Sequence, residues 1–103
     1  MVRRANRVDS NHKEIIDGLR KRGAEVLDIS SVKNAFDILV SYNGKVFCVE
    51  IKNPEYVKPH KYWDSLTEGE KKFHEKWKAE VYIVTELEEL IDILNKETIG
   101  GSL

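Results

Sequence analysis

The dipeptide Asn43-Gly44, set between two β-rich runs, constrains this 103-residue chain more than any other feature. Both residue types tolerate positive φ, so the pair specifies a two-residue hairpin turn whose twist suits the strands on either side. A turn that short leaves the register no freedom. Tyr42 is expected to pair with Lys45, and counting outward gives Ser41 with Val46, Leu39 with Cys48 and Asp37 with Glu50. Because the turn-flanking pair is hydrogen-bonded, Asp37 and Glu50 fall in a non-hydrogen-bonded pair, with Cβ atoms about 4.5 to 5.5 Å apart. Like charges directly opposite one another in a sheet are destabilising unless something compensates. Period two then puts Lys52 on the side of Glu50 and sends Ile51, Val49, Phe47, Ile38 and Val40 to the other face.

An isolated Asp followed some way on by Glu-x-Lys is common in charged sequences, where such residues usually sit solvated on strands. Here the register brings the acids together, and a divalent cation between them would remove their repulsion. Hard oxygen ligands with positions left for water suit Mg²⁺ or Mn²⁺ rather than zinc. The Lys52 ammonium would repel the metal as a ligand, so its place is beside an attacking water or a developing oxyanion. A cation so held polarises a phosphodiester and activates water, which makes phosphodiester hydrolysis the expected chemistry.

The rest of the chain supplies one core around this hairpin. His12, Ile15, Ile16 and Leu19 fall at helical spacing over residues 12–22, with Asp9 and Ser10 available as a cap and Gly23 where the helix would stop. A strand is expected over 24–29, then 36–42 and 45–52 as the two arms of the hairpin. Thr67 and Glu70 form a capping box for a second helix carrying Phe73 and Trp77, both expected in the core. A strand over 79–85 and a helix over 86–95 complete an αβββαβα order, an α/β class with a central mixed sheet flanked by helices. Residues 99–103 are expected to be a frayed tail. The 53–65 segment, with Pro54, Pro59 and several basic and aromatic residues, is expected to be an irregular surface loop that starts at the edge of the site.

Charge and cysteine content close off other classes. Seven Arg and Lys against three acids give residues 1–23 a charge of +4, while the chain as a whole carries −1. A basic arm is compatible with a phosphate-bearing partner, but the overall balance argues against a protein that lives on nucleic acid by bulk electrostatics. The single cysteine, Cys48, rules out an internal disulfide and a Cys-rich zinc site and is expected as a small core residue. No apolar run approaches the ~18 residues of a membrane span, and the first residues hold no signal-like stretch, so a soluble cytoplasmic chain without membrane contact is expected.

Asp37 followed by Glu50-Ile51-Lys52 across a hairpin, after an N-terminal helix, resembles the PD-(D/E)xK nuclease core, and in particular small stand-alone proteins related to the VRR-Nuc domain of phages and bacteria. The likeness extends over residues 7–95, through Asp9-Ser10-Asn11-His12, Arg22 to Val26, Phe36 to Val40, Leu66-Thr67 and Phe73-His74-x-x-Trp77. It implies a restriction-endonuclease-like fold, dependence on Mg²⁺ or Mn²⁺, cleavage of duplex or branched DNA such as four-way junctions, and a homodimer.

Carried onto this chain, the resemblance makes Asp37, Glu50 and the Ile51 carbonyl metal ligands, and Lys52 the group that orients the nucleophilic water. Two departures stand out. Phe36 replaces the usual proline, which is mainly a backbone device. Where many relatives carry a glutamate on the first helix, this chain has Asp9, Asn11 and His12. Asp9 and His12 are candidates for catalytic roles there; His12 could orient water, hold metal or phosphate, or simply pack. A glutamine stands at the place of Glu70 in several relatives, so Glu70 is open to a role at the site besides its cap. Arg7, Asn11, Lys58, His60 and Lys61 are candidate nucleic-acid contacts. The competing function is a nuclease-fold module that binds nucleic acid or protein without cleaving.

Overall fold

The computed structural model describes residues 10–53 and 66–98. In order these form α1 (Ser10–Lys21), β1 (Glu25–Asp28), β2 (Ile38–Tyr42), β3 (Lys45–Ile51), α2 (Glu68–Lys76), β4 (Val81–Val84) and α3 (Leu87–Glu97). The αβββαβα order is the expected one, with ends shifted by one or two residues at most elements.

Asn43 and Gly44 turn at φ +55° and +82°, and the ladder runs from Tyr42↔Lys45 to Ile38↔Val49 in the register the turn dictates. β1 adds antiparallel to β2, and β4 adds parallel to β3, giving a four-stranded mixed sheet in the order β1-β2-β3-β4. A parallel neighbour needs a crossover connection, and α2 lies within it.

One face of the sheet is closed. Ile15, Ile16 and Leu19 of α1 and Leu90 and Leu94 of α3 pack on Val26, Ile38, Val40, Phe47, Val49, Ile51 and Val84. The alternation sends these strand residues, and not their neighbours, to the helices. Gly18 lets the two helices meet: a Cβ there would fall 2.4 Å from Leu87 Cδ2. α1 ends at Gly23, φ +93°, with the Gly23 and Ala24 amides donating to the Arg20 and Leu19 carbonyls, the pattern of a Schellman motif.

Among the described residues the other face is thinly covered. Ala35, Phe36 and Cys48 are buried there, with Phe73 of α2 against them, but α2 buries none of its own residues fully. Trp77, expected in the core, caps the C-terminus of α2 and is 40% exposed, its ring stacked on Phe73 at 5.2 Å and edge-on to Phe36 at 5.6 Å. Leu27 and Val46, farther along the same face, are 64% and 66% exposed. Among the described residues no helix is long and apolar enough to cross a membrane.

Candidate active site

The site lies where the β2 and β3 ladder stops. Continuing the register would set Asp37 squarely opposite Glu50, but the Asp37 amide instead donates to the Val49 carbonyl at 2.9 Å, on the residue that Ile38 already faces. Two residues of one strand end thus address one residue of the other, as in a β-bulge, a device that re-aims a side chain. The Asp37 carbonyl accepts from the Ile29 amide at 2.9 Å, and its carboxylate Oδ2 accepts from the Ile51 amide at 2.7 Å. The acids therefore meet by a bulge and a backbone tether rather than by direct cross-strand pairing.

Glu50 and Lys52 share a side of β3, as period two requires. Lys52 Nζ lies 3.2 Å from Glu50 Oε2, and its backbone amide donates to the Val84 carbonyl of β4. Glu50 is 3% exposed, on the same face of β3 as the buried Cys48. Asp37, Glu50 and Glu70 line a cavity of about 90 Å³ together with Ser30, Asn34 and Phe36. The connection that carries Asn34, φ +65°, is pressed onto the first turn of α2: a Cβ at Gly69 would stand 2.8 Å from the Asn34 side chain. His74 lies one turn on, with Nε2 at 3.3 Å from the Ala35 carbonyl.

Burial pushes the Asp37 carboxyl above its ordinary range, against the Ile51 amide and the nearby His12 and Lys52, which draw it down. Burial, reinforced by the charges of Asp37 and Glu70, pushes Glu50 up to about 8 despite the neighbouring ammonium. For Lys52, burial works against the charged form, but Glu50 and Glu70 outweigh it, and the amine is held above its usual value. The cluster crowds three carboxyl groups against one ammonium, largely out of water, and a second cation would favour the ionised form of Asp37 and Glu50.

Among the described residues no three His, Cys, Asp or Glu side chains gather as a set of metal ligands. A pair of carboxylates still fits Mg²⁺, which is commonly bound through one or two carboxylates and keeps several waters. Ile51, expected to offer its carbonyl to a metal, meets the site through its amide, which donates to Asp37.

Of the helix-borne candidates, Asn11 is placed differently from expectation. Asn11, expected to face nucleic acid, donates its Nδ2 to the Lys52 carbonyl at 3.0 Å and the Thr85 carbonyl at 3.1 Å. That amide is spent tying α1 to the ends of β3 and β4; its Oδ1 is buried with no hydrogen-bond partner among the described residues. His12 is 7% exposed and does not line the cavity. Its Nε2 lies 3.9 Å from Asp28 Oδ2 and also finds no hydrogen-bond partner among the described residues. Of the roles open to His12, packing is the one its position favours, with an electrostatic influence on Asp37. Arg7, Asp9, Lys58, His60 and Lys61 lie outside the described residues.

Glu70 is the partner that strand arithmetic could not supply. Its capping box with Thr67 is present, and the same Oε1 that accepts the Thr67 amide at 3.0 Å takes Lys52 Nζ at 3.1 Å. The Thr67-x-x-Glu70 spacing signals the cap, but only the packing of α2 over β3 brings it to the lysine. No protein-family model, curated protein or solved structure matches the chain.

Proposed function

We propose that this chain is a metal-dependent DNA endonuclease of the PD-(D/E)xK kind, with a restriction-endonuclease-like core. The observation that carries the reading is the meeting of Asp37, Glu50 and Lys52 at one end of the sheet, beside a polar cavity, with the ammonium 3.2 Å from the glutamate. The four-stranded mixed sheet with three helices is compatible with that core.

In this reading Asp37 and Glu50, with the Ile51 main chain, would hold Mg²⁺ or Mn²⁺, whose chemistry when bound is Lewis-acid activation of water and neutralisation of phosphate charge. Asp37 is oriented for the task by the Ile51 amide, and Glu50 by its place on a central strand. Lys52 orients the water that attacks phosphorus and donates to the phosphoryl oxygen as negative charge builds there, while the bond to the leaving oxygen breaks. The burial of the cluster strengthens each of these interactions. Duplex or branched DNA is the proposed substrate, and a homodimer the proposed form for cutting two strands.

The test is a panel of end-labelled linear, flapped and four-way-junction DNAs incubated with Mg²⁺ or Mn²⁺, with Lys52→Ala alongside. Cleavage by the wild type alone supports the reading. Salt-dependent binding without cleavage of any substrate with either metal would identify a binding module instead.

A further inference from the structure

Lys52 stands between two carboxylates that approach from different elements. Glu50 is two residues back on β3, with Oε2 at 3.2 Å, and Glu70 is in the first turn of α2, with Oε1 at 3.1 Å. All three side chains are largely withdrawn from water, at 18%, 4% and 20% exposure for Lys52, Glu50 and Glu70. Glu70 is fixed independently of the lysine: its Oε1 accepts the Thr67 amide, and its own amide donates to Thr67 Oγ1 at 3.1 Å. The lysine is tied to β4 through its backbone, so the freedom left to it lies in its side chain.

A divalent cation taken up by Asp37 and Glu50 would compete with the ammonium for Glu50 and repel it. We propose that Glu70 is a positioning residue that retains the Lys52 ammonium as Glu50 turns to the metal, so that the lysine gives way without leaving the site. This rests on the metal-site reading above. With Glu70 in place, the exchange costs Lys52 one of two charge-assisted bonds. Without it, Lys52 has Glu50 alone and must be stripped of its carboxylate partner before the metal can bind. Glu70 thereby makes the capping box of α2 part of the device that sets metal affinity.

The experiment is a double-mutant cycle on Mn²⁺ affinity, read by electron paramagnetic resonance of the free ion on the full chain. It uses wild type, Glu70→Gln, Lys52→Met and the double variant, each checked for folding by circular dichroism. Glutamine can serve at N3 of a capping box, so Glu70→Gln keeps the helix start while removing the charge. Glu70→Gln should weaken Mn²⁺ binding by about tenfold, the scale of one charge-assisted hydrogen bond. Lys52→Met should tighten binding by releasing Glu50, and in that background Glu70→Gln should lose most of its effect.

An equal loss in both backgrounds would overturn the proposal, because Glu70 would then act on the metal directly. Failure of Lys52→Met to tighten binding would overturn it too, by showing that ammonium and metal do not compete. Absence of Mn²⁺ binding in the wild type is a separate result: it would remove the metal-site reading itself and the proposal with it.

Discussion

The two faces of the sheet are built from the same strands and differ in almost everything else. On one, alternate residues of β1 to β4 meet α1 and α3 and shut out water, with Leu19, Ile38, Val40, Val49, Val84, Leu90 and Leu94 all at 0% exposure. On the other, among the described residues, α2 covers the end that carries the carboxylates, while Leu27 and Val46 at the far end stay exposed. Stability is concentrated on the closed face, so the open face can hold crowded charges that a fold with less in reserve could not carry. The difference explains how Asp37, Glu50 and Glu70 sit together at the edge of an 11.9 kDa chain.

The contrast can be broken in several ways, with effects of declining size. On the open face, Lys52→Ala should lower cleavage by about 10²- to 10³-fold, the usual cost of losing one preorganised charge donor. Loss of the ammonium that Glu50 and Glu70 hold will lower the thermal midpoint, but the variant should stay folded at the assay temperature; one that loses activity only because it has unfolded would show the assignment to be structural. On the closed face, Leu90→Ala or Leu94→Ala should cost about 2 to 5 kcal/mol, since both side chains are fully buried in the core. Urea melts will show this as a lower midpoint, and a loss under 1 kcal/mol would contradict the picture of a sealed core.

The third effect is a pH slope. Glu50 is held up to about 8 in the folded chain, above its ordinary value of 4.5, so the fold favours its protonated form. The stability linked to this group is fully present below the unfolded value and is lost as pH rises through about 8. Without added metal, the thermal midpoint should therefore fall between pH 5 and pH 9, and Glu50→Gln should flatten that fall. A wild-type profile that rises over this range would contradict the burial argument. The smallest effect belongs to the uncovered strands. Val46→Thr and Leu27→Thr keep β-branched or strand-compatible side chains at exposed positions and should change stability by no more than about 0.5 kcal/mol.

What was legible in the sequence follows the same division. The closed face could be read from the turn outward, because Asn43-Gly44 sets the register and strand alternation then sorts Phe47, Val49 and Ile51 from Val46, Cys48 and Glu50. The adjacency of Glu50 and Lys52 came with it. The bulge at Asp37 did not, since it depends on the Val49 carbonyl capturing one extra amide, which no local pattern announces. Asn11 was misread for a related reason: a polar residue at a helix start looks available, and only the arrival of β3 and β4 beneath it supplies the two carbonyls that take its amide. Trp77 fits the apolar spacing of α2, but that helix lies on the sparsely covered side, where an aromatic can stack on Phe73 and still face water. Glu70 was visible as a cap, and the resemblance left it open to a role at the site, but Lys52 as its partner emerges only from the packing.

The central claim is that Asp37, Glu50 and Lys52 act together in phosphodiester hydrolysis, and single-turnover cleavage by Glu50→Gln tests it most directly. The substitution preserves shape and removes a group that ionises at a buried site, so the fold should survive and lose the pH slope. With Mg²⁺ and a DNA that the wild type cuts, Glu50→Gln should give no measurable product; cleavage at the wild-type rate would contradict the account.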